Sequence, residues 1–161
     1  MIIQIGQPLP DVAIKAIVDG RIEADSTGAL YAGRKVVLFA VPGAFTPTCS
    51  EKHLPGYVQR YEAFRARDIA VHCLAVNDAY VMQAWAAAQK VPPGLVLLAD
   101  GNAEFTRALG LELDGSAYGM GLRARRFALY AEDGVVRQLH VEAPGEFRVS
   151  GAEAMLAALG G

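Results

Sequence analysis

The run Lys35-Val36-Val37-Leu38-Phe39-Ala40-Val41 constrains this chain more than any other segment. A short, continuous, β-branched apolar run reads as a strand buried on both faces, and such a strand needs a covering layer on each side of its sheet. Pro42-Gly43 ends the run, and Thr46-Pro47 opens a helix, with threonine as N-cap and proline at the first helical position. The chain is thereby committed to a layered α/β architecture.

Strand and helix signals alternate on either side. Val12 to Val18, the turn Asp19-Gly20 and Arg21 to Ala24 form an N-terminal β-hairpin, because Asp-Gly is a favoured hairpin turn. Ile69 to Val76 is a second buried strand, with Asn77-Asp78 capping a helix from Ala79 to about Lys90. Leu95 to Ala99 is a third, followed by a short helix from Asn102 to Leu109 that Gly110 stops. Arg126 to Ala131 and Val135 to Leu139 flank Asp133-Gly134 as a second hairpin, and Ser150 with Glu153 forms a capping box for a last helix through Leu159. The pattern is that of a central mixed sheet flanked by helices. At 161 residues, without repeats or linkers, residues 1–161 read as a single domain.

Cys49 falls at the third position of the helix after the first strand. Backbone N–H groups there have no intrahelical partner, and the helix dipole adds about half a positive charge, so S⁻ is favoured over SH. Composition narrows the remaining classes. A net charge of −2 gives no field for nucleic acid, and Arg123, Arg125 and Arg126, the only tight basic cluster, read as one solvated face of a strand. The start Met1-Ile2-Ile3-Gln4-Ile5 lacks the basic leader and apolar core of a signal peptide, and no stretch approaches a membrane span. Two cysteines, neither in Cys-x-x-Cys nor near histidine at ligand spacing, imply no metal site, a reducing compartment and a cytoplasmic location. No cofactor is expected.

Pro42-x-x-x-Thr46-x-x-Cys49 resembles the active-site motif of the peroxiredoxins, and the longer run from Pro42 to Gly56 resembles their atypical type-II, peroxiredoxin-five-like branch. Cys73 to Val81 and Arg125 to Leu129 match as well. The resemblance implies a thioredoxin-like fold and a thiol-specific peroxidase that reduces hydrogen peroxide and alkyl hydroperoxides through a cysteine sulfenic acid. It makes Cys49 the peroxidatic cysteine, Thr46 the hydroxyl partner of sulfur and peroxide, Pro42 the shield over the thiolate, and Arg126 the cationic partner. The reaction needs these groups, because negative charge moves from sulfur to the leaving oxygen, where a guanidinium and fixed backbone donors stabilise it. Taken alone, Thr46 fits a plain N-cap and Pro42 an ordinary strand breaker.

Phe45, His53 and Phe127 are candidates for the substrate pocket. His53, four residues beyond Cys49, also suggests a cysteine–histidine hydrolase pair, which lacks an identifiable orienting group; the resemblance leaves it at the active-site entrance. Pro55 removes a donor and clashes with the carbonyl of Glu51, so the Cys49 turn joins the following helix loosely. Such a joint suits a cysteine that must emerge after oxidation. Cys73, alternating with Val71 and Ala75, reads as a buried core thiol, with a resolving role as its alternative. The late resolving cysteine of some family members has no counterpart. A one-cysteine mechanism follows, with glutathione and glutaredoxin, or thioredoxin, as external reductant. The family also implies a homodimer through Phe45, Asp78–Met82 and Tyr118–Leu122, although Phe45 equally fits a pocket wall. The alternative function is a thiol-based sensor or relay without efficient turnover; a thiol–disulfide oxidoreductase is disfavoured for want of a second cysteine two residues away.

Overall fold

A computed structural model describes residues 1–160. In chain order the elements are β1 (Ala13–Val18), β2 (Arg21–Ser26), α1 (Thr27–Tyr31), β3 (Lys35–Ala40), α2 (Leu54–Arg65), β4 (Ile69–Ala75), α3 (Ala79–Ala88), β5 (Val96–Ala99), α4 (Glu104–Leu109), β6 (Glu112–Asp114), β7 (Leu122–Ala124), β8 (Phe127–Glu132), β9 (Val135–Val141) and α5 (Ala152–Ala158). Seven strands form one mixed sheet in the order β2-β1-β5-β4-β3-β8-β9, and β6 pairs with β7 in a separate ribbon. The apolar run from Lys35 lies near the middle, parallel to β4 on one side and antiparallel to β8 on the other.

Burial on both faces follows from alternation. Val37, Phe39, Val71 and Cys73 face a core closed by Leu54, Tyr57 and Phe64 of α2, Met82 and Trp85 of α3, and Met155 of α5. Val36, Leu38 and Leu74 face the other core, closed by Leu30 and Tyr31 of α1 and by Phe105 and Leu109 of α4. The N-terminal hairpin turns at Asp19 and Gly20, both at positive φ as an Asp-Gly turn requires. Asp133 and Gly134 repeat the device between β8 and β9.

Three local expectations are corrected. The helix opening at Pro47 is not plain α-helix: Cys49–His53 form a π-turn in which the Leu54 N–H bonds the Cys49 carbonyl. Pro55 sits immediately beyond, within the first turn of α2, so the wider turn accommodates the ring that an α-helix would set against Glu51. The capping box at α5 does not form: Gly151 is the N-cap, while Ser150 and Glu153 bond elsewhere, to Glu142 and Arg60. The arginine cluster is not one strand face either, since Arg123 lies in β7 and Arg125 and Arg126 in the break before β8, with Arg123 and Arg126 half-buried.

Candidate active site

Cys49 is fully buried where the strand–turn–helix unit meets the start of β8. The Arg126 guanidinium donates from Nη2 to Cys49 Sγ at 3.2 Å and from Nη1 to His53 Nδ1 at 2.9 Å. Arginine can only donate, so His53 Nδ1 is the acceptor nitrogen and Nε2 carries the proton, which it donates to the Ser150 carbonyl at 3.0 Å. Burial, then the charge of Arg126, pushes His53 down to about 3, over smaller opposing pulls from Ser150 and Glu142. His53 is therefore neutral at working pH. It lies behind Arg126, not at the entrance, and with Nδ1 occupied by arginine it does not form the cysteine–histidine hydrolase pair.

The Ser150 carbonyl also accepts from Tyr57 Oη at 2.8 Å. Tyr57 stacks on Phe39 of β3 with centroids 4.0 Å apart, and the Arg126 guanidinium carbon lies 5.9 Å from the centre of the Phe147 ring. The Ser150 amide and hydroxyl in turn donate to Glu142, as do the amides of Arg148 and Val149. Burial opposes charge on Glu142, but these hydrogen bonds outweigh it and hold the carboxyl below its usual range.

Thr46 caps the helix only through its backbone: its carbonyl accepts the Ser50 N–H, while its hydroxyl donates to the Gly43 carbonyl at 2.7 Å. The hydroxyl hydrogen is committed to Gly43, and the oxygen keeps its acceptor capacity. Pro42 is half-buried and lines, with Arg126, Lys52, Arg125, Leu113 and Phe147, a cavity of about 460 Å³. Phe45 is 55% exposed, adopts φ +64° and leans toward Trp85 at 6.5 Å. Asn77 holds this loop by accepting the Ala44 N–H at 2.9 Å, leaving the cap of α3 to Asp78. Phe127 is no pocket residue, because it is fully buried in the core on the opposite face of the sheet from Cys49. Cys73 is a fully buried free thiol in the same core as Cys49, and burial, then the proximity of Cys49, pushes it well above the usual thiol range. Among the described residues no cluster of metal-binding side chains occurs and no helix is long and apolar enough to cross a membrane.

Sequence reading missed Glu142 and the role of Arg123. Arg123 donates to the Met120 and Val76 carbonyls, tying the loop before β7 to the end of β4. Neither has a sequence signal: both act on backbone groups, which every residue type carries. Ser150 had a signal, but one that pointed to a helix cap.

A thioredoxin-like sheet with a buried, arginine-held cysteine at the start of a helix defines a thiol-based redox protein, and the Redoxin family model matches residues 4–156. Peroxiredoxin-2E-2, chloroplastic, of Oryza sativa is 48% identical over 163 residues, covering 98% of this chain and 72% of its own length. Peroxiredoxin-2B of Arabidopsis thaliana is 43% identical, covering 98% of both chains. The crystal structure of reduced Prx3 from Vibrio vulnificus in complex with hydrogen peroxide superposes with a TM-score of 0.91 at 48% identity, over 98% of this chain and 99% of that one. The chain belongs to the peroxiredoxin family. It is a thiol-dependent peroxidase, an oxidoreductase that acts on peroxide with thiol reductants.

Proposed function

We propose that Cys49 reduces hydrogen peroxide and alkyl hydroperoxides in a one-cysteine cycle, with residues 1–161 acting as a single unit. The observation that carries this reading is the Arg126 fork, with one nitrogen on Cys49 Sγ and the other on His53. Cys49 thiolate attacks one peroxide oxygen, the S–O bond forms as O–O breaks, and the departing oxygen leaves with the electron pair and takes up a proton as water or alcohol. Arg126 faces the charge as it passes from sulfur to oxygen, and its fixed orientation costs no reorganisation during the step. Thr46 accepts a hydrogen bond from the bound peroxide, because its own hydrogen is committed to Gly43. Pro42 limits water beside the thiolate.

The product is Cys49 sulfenic acid. An external thiol attacks it, releasing water and forming a mixed disulfide, and a second thiol frees Cys49 as the external disulfide forms. Burial of Cys73, which disfavours its thiolate, supports an external reductant over an internal one. Glutathione with glutaredoxin, or thioredoxin, fills that role. A homodimer fits the exposed Phe45, Tyr80 and Tyr118, three large aromatics each more than half exposed in the single chain. The low cysteine count keeps the cytosol as the proposed compartment, although two plant relatives are named chloroplastic. No nucleic-acid partner is proposed for a chain of net charge −2.

The test is peroxide consumption by the wild type and Cys49→Ser, with glutathione–glutaredoxin and with thioredoxin. Wild-type turnover that Cys49→Ser abolishes while keeping the fold supports the cycle. Turnover retained by the serine variant would remove Cys49 from it. Stoichiometric oxidation of Cys49 without turnover would favour a sensor or relay.

A further inference from the structure

We propose that Glu142 is a positioning residue for the peroxide step, acting through the Ser150 carbonyl and His53 to hold the Arg126 guanidinium against Cys49. This rests on the reading of Cys49 as the group that attacks peroxide.

Glu142 follows the last strand of the sheet and is 8% exposed. Its carboxylate accepts from four donors, the amides of Arg148, Val149 and Ser150 and the Ser150 hydroxyl, at 2.7 to 2.9 Å. A carboxylate bound this way folds the 148–150 segment around itself, which alone would make it a loop staple. The segment, however, presents the Ser150 carbonyl inward, where Tyr57 Oη and His53 Nε2 occupy it. That carbonyl accepts only, so it fixes the proton of His53 on Nε2 and leaves Nδ1 as a lone pair for Arg126 Nη1. The Glu142 amide also donates to the Arg126 backbone carbonyl at 3.0 Å, so one residue constrains both ends of the arginine.

If the Ser150 carbonyl moves, nothing holds the His53 proton on Nε2 and the ring can carry it on Nδ1. In that form a donor faces the donors of Arg126, and the guanidinium swings off sulfur. A flexible side chain depends on such neighbours for its orientation, and misplacement of a catalytic group by about 1 Å can cost 10²-fold in rate.

Glu142→Gln keeps the shape but removes the charge and sets an amide N–H₂ among the N–H donors. The peroxide rate constant should fall about 10- to 100-fold by stopped flow, while alkylation of Cys49 by iodoacetamide is not slowed when compared at a pH where it has reached its plateau, because there the thiolate is fully formed in both proteins. The ¹⁵N ring shifts of His53 should show the Nε2–H tautomer in the wild type and move toward Nδ1–H in the variant. Adding Glu142→Gln to His53→Phe should cost nothing further. A peroxide rate within about twofold of wild type, equal slowing of alkylation, or full additivity with His53→Phe overturns the proposal. Should Glu142→Gln fail to fold, Ser150→Ala removes one of the four donors, and the same tautomer shift with a smaller rate loss is expected; an unchanged His53 tautomer overturns the proposal. The two readings fail separately: an inactive wild type sinks the assignment of Cys49, whereas an active wild type matched by Glu142→Gln sinks only the positioning role.

Discussion

Arg126 divides its guanidinium between a sulfur and a ring nitrogen, and this division distinguishes it from a generic nearby cation. Lysine at the same place would bring one strongly hydrated point charge that cannot hold His53 Nδ1 while facing Cys49. Arg126→Lys should therefore slow the peroxide step nearly as much as Arg126→Ala, about 10²–10³-fold if one preorganised donor set is lost, and stopped-flow rates for both variants check this. A lysine variant at wild-type speed would mean that charge alone suffices. Cys73 makes the opposite case. As a core thiol, Cys73→Ser should keep turnover with an external thiol and lose about 1–2 kcal/mol of stability for a buried hydroxyl, read from urea unfolding; a dominant Cys49–Cys73 disulfide after peroxide treatment would show that it resolves. In the sequence Cys49 and Arg126 are paired only by the family resemblance, since 77 residues separate them and no local pattern joins them. Sequence reading mistook His53 for an entrance residue and Phe127 for a pocket residue. For His53 the helical face was right but its depth behind Arg126 is set by the 148–150 segment, and for Phe127 one position of strand register decides which face of the sheet it meets.

At the scale of elements, most of the fold was legible because the central strands are buried on both faces and their helices are separated by strong turn residues. What was not legible is instructive at the π-turn. Pro55 announced a break, yet the chain absorbs it by widening the Cys49–His53 turn and remains helical. The β6–β7 ribbon escaped notice because three-residue strands carry too little alternation to read. The π-turn is held at its start by Trp85, whose indole N–H donates to Ser50 Oγ at 3.0 Å, so opening of the Cys49 turn breaks a bond to the only tryptophan. Pro55→Ala restores an amide donor and lets an ordinary α-helix form, which should make that opening rarer. Hydrogen exchange across residues 49–54 should slow, and sulfenic acid held longer in the pocket should give more sulfinic acid per turnover by mass spectrometry. Exchange unchanged from wild type would show that the turn opens independently of Pro55. Tryptophan fluorescence offers a second reading of the same event.

Across the whole molecule, each core buries a neutral histidine, and together these couple stability to pH. His53 lies among α2, β3 and the 148–150 segment. On the other side of the sheet, His72 of β4 meets Tyr31 Oη at 3.2 Å, and burial followed by the charge of Arg34 pushes it also down to about 3. Both have folded values well below the ordinary 6.5. The unfolded chain therefore binds more protons than the native one between about pH 6.5 and 3, and stability must fall as pH falls through that window. Glu142 acts in the same direction at lower pH, since its carboxylate is stabilised in the fold and that contribution disappears as it protonates. Lowering the pH from 7.5 to 5.5 should cost about 1.4 kcal/mol for each histidine, or roughly 2.7 kcal/mol for both, because the unfolded imidazoles go from mostly neutral to mostly charged. Urea midpoints at the two pH values measure the loss. His72→Phe removes one titrating group far from the chemistry, so it should about halve the pH dependence whatever it does to absolute stability. A slope unchanged in that variant would mean that His72 takes up its proton within the fold.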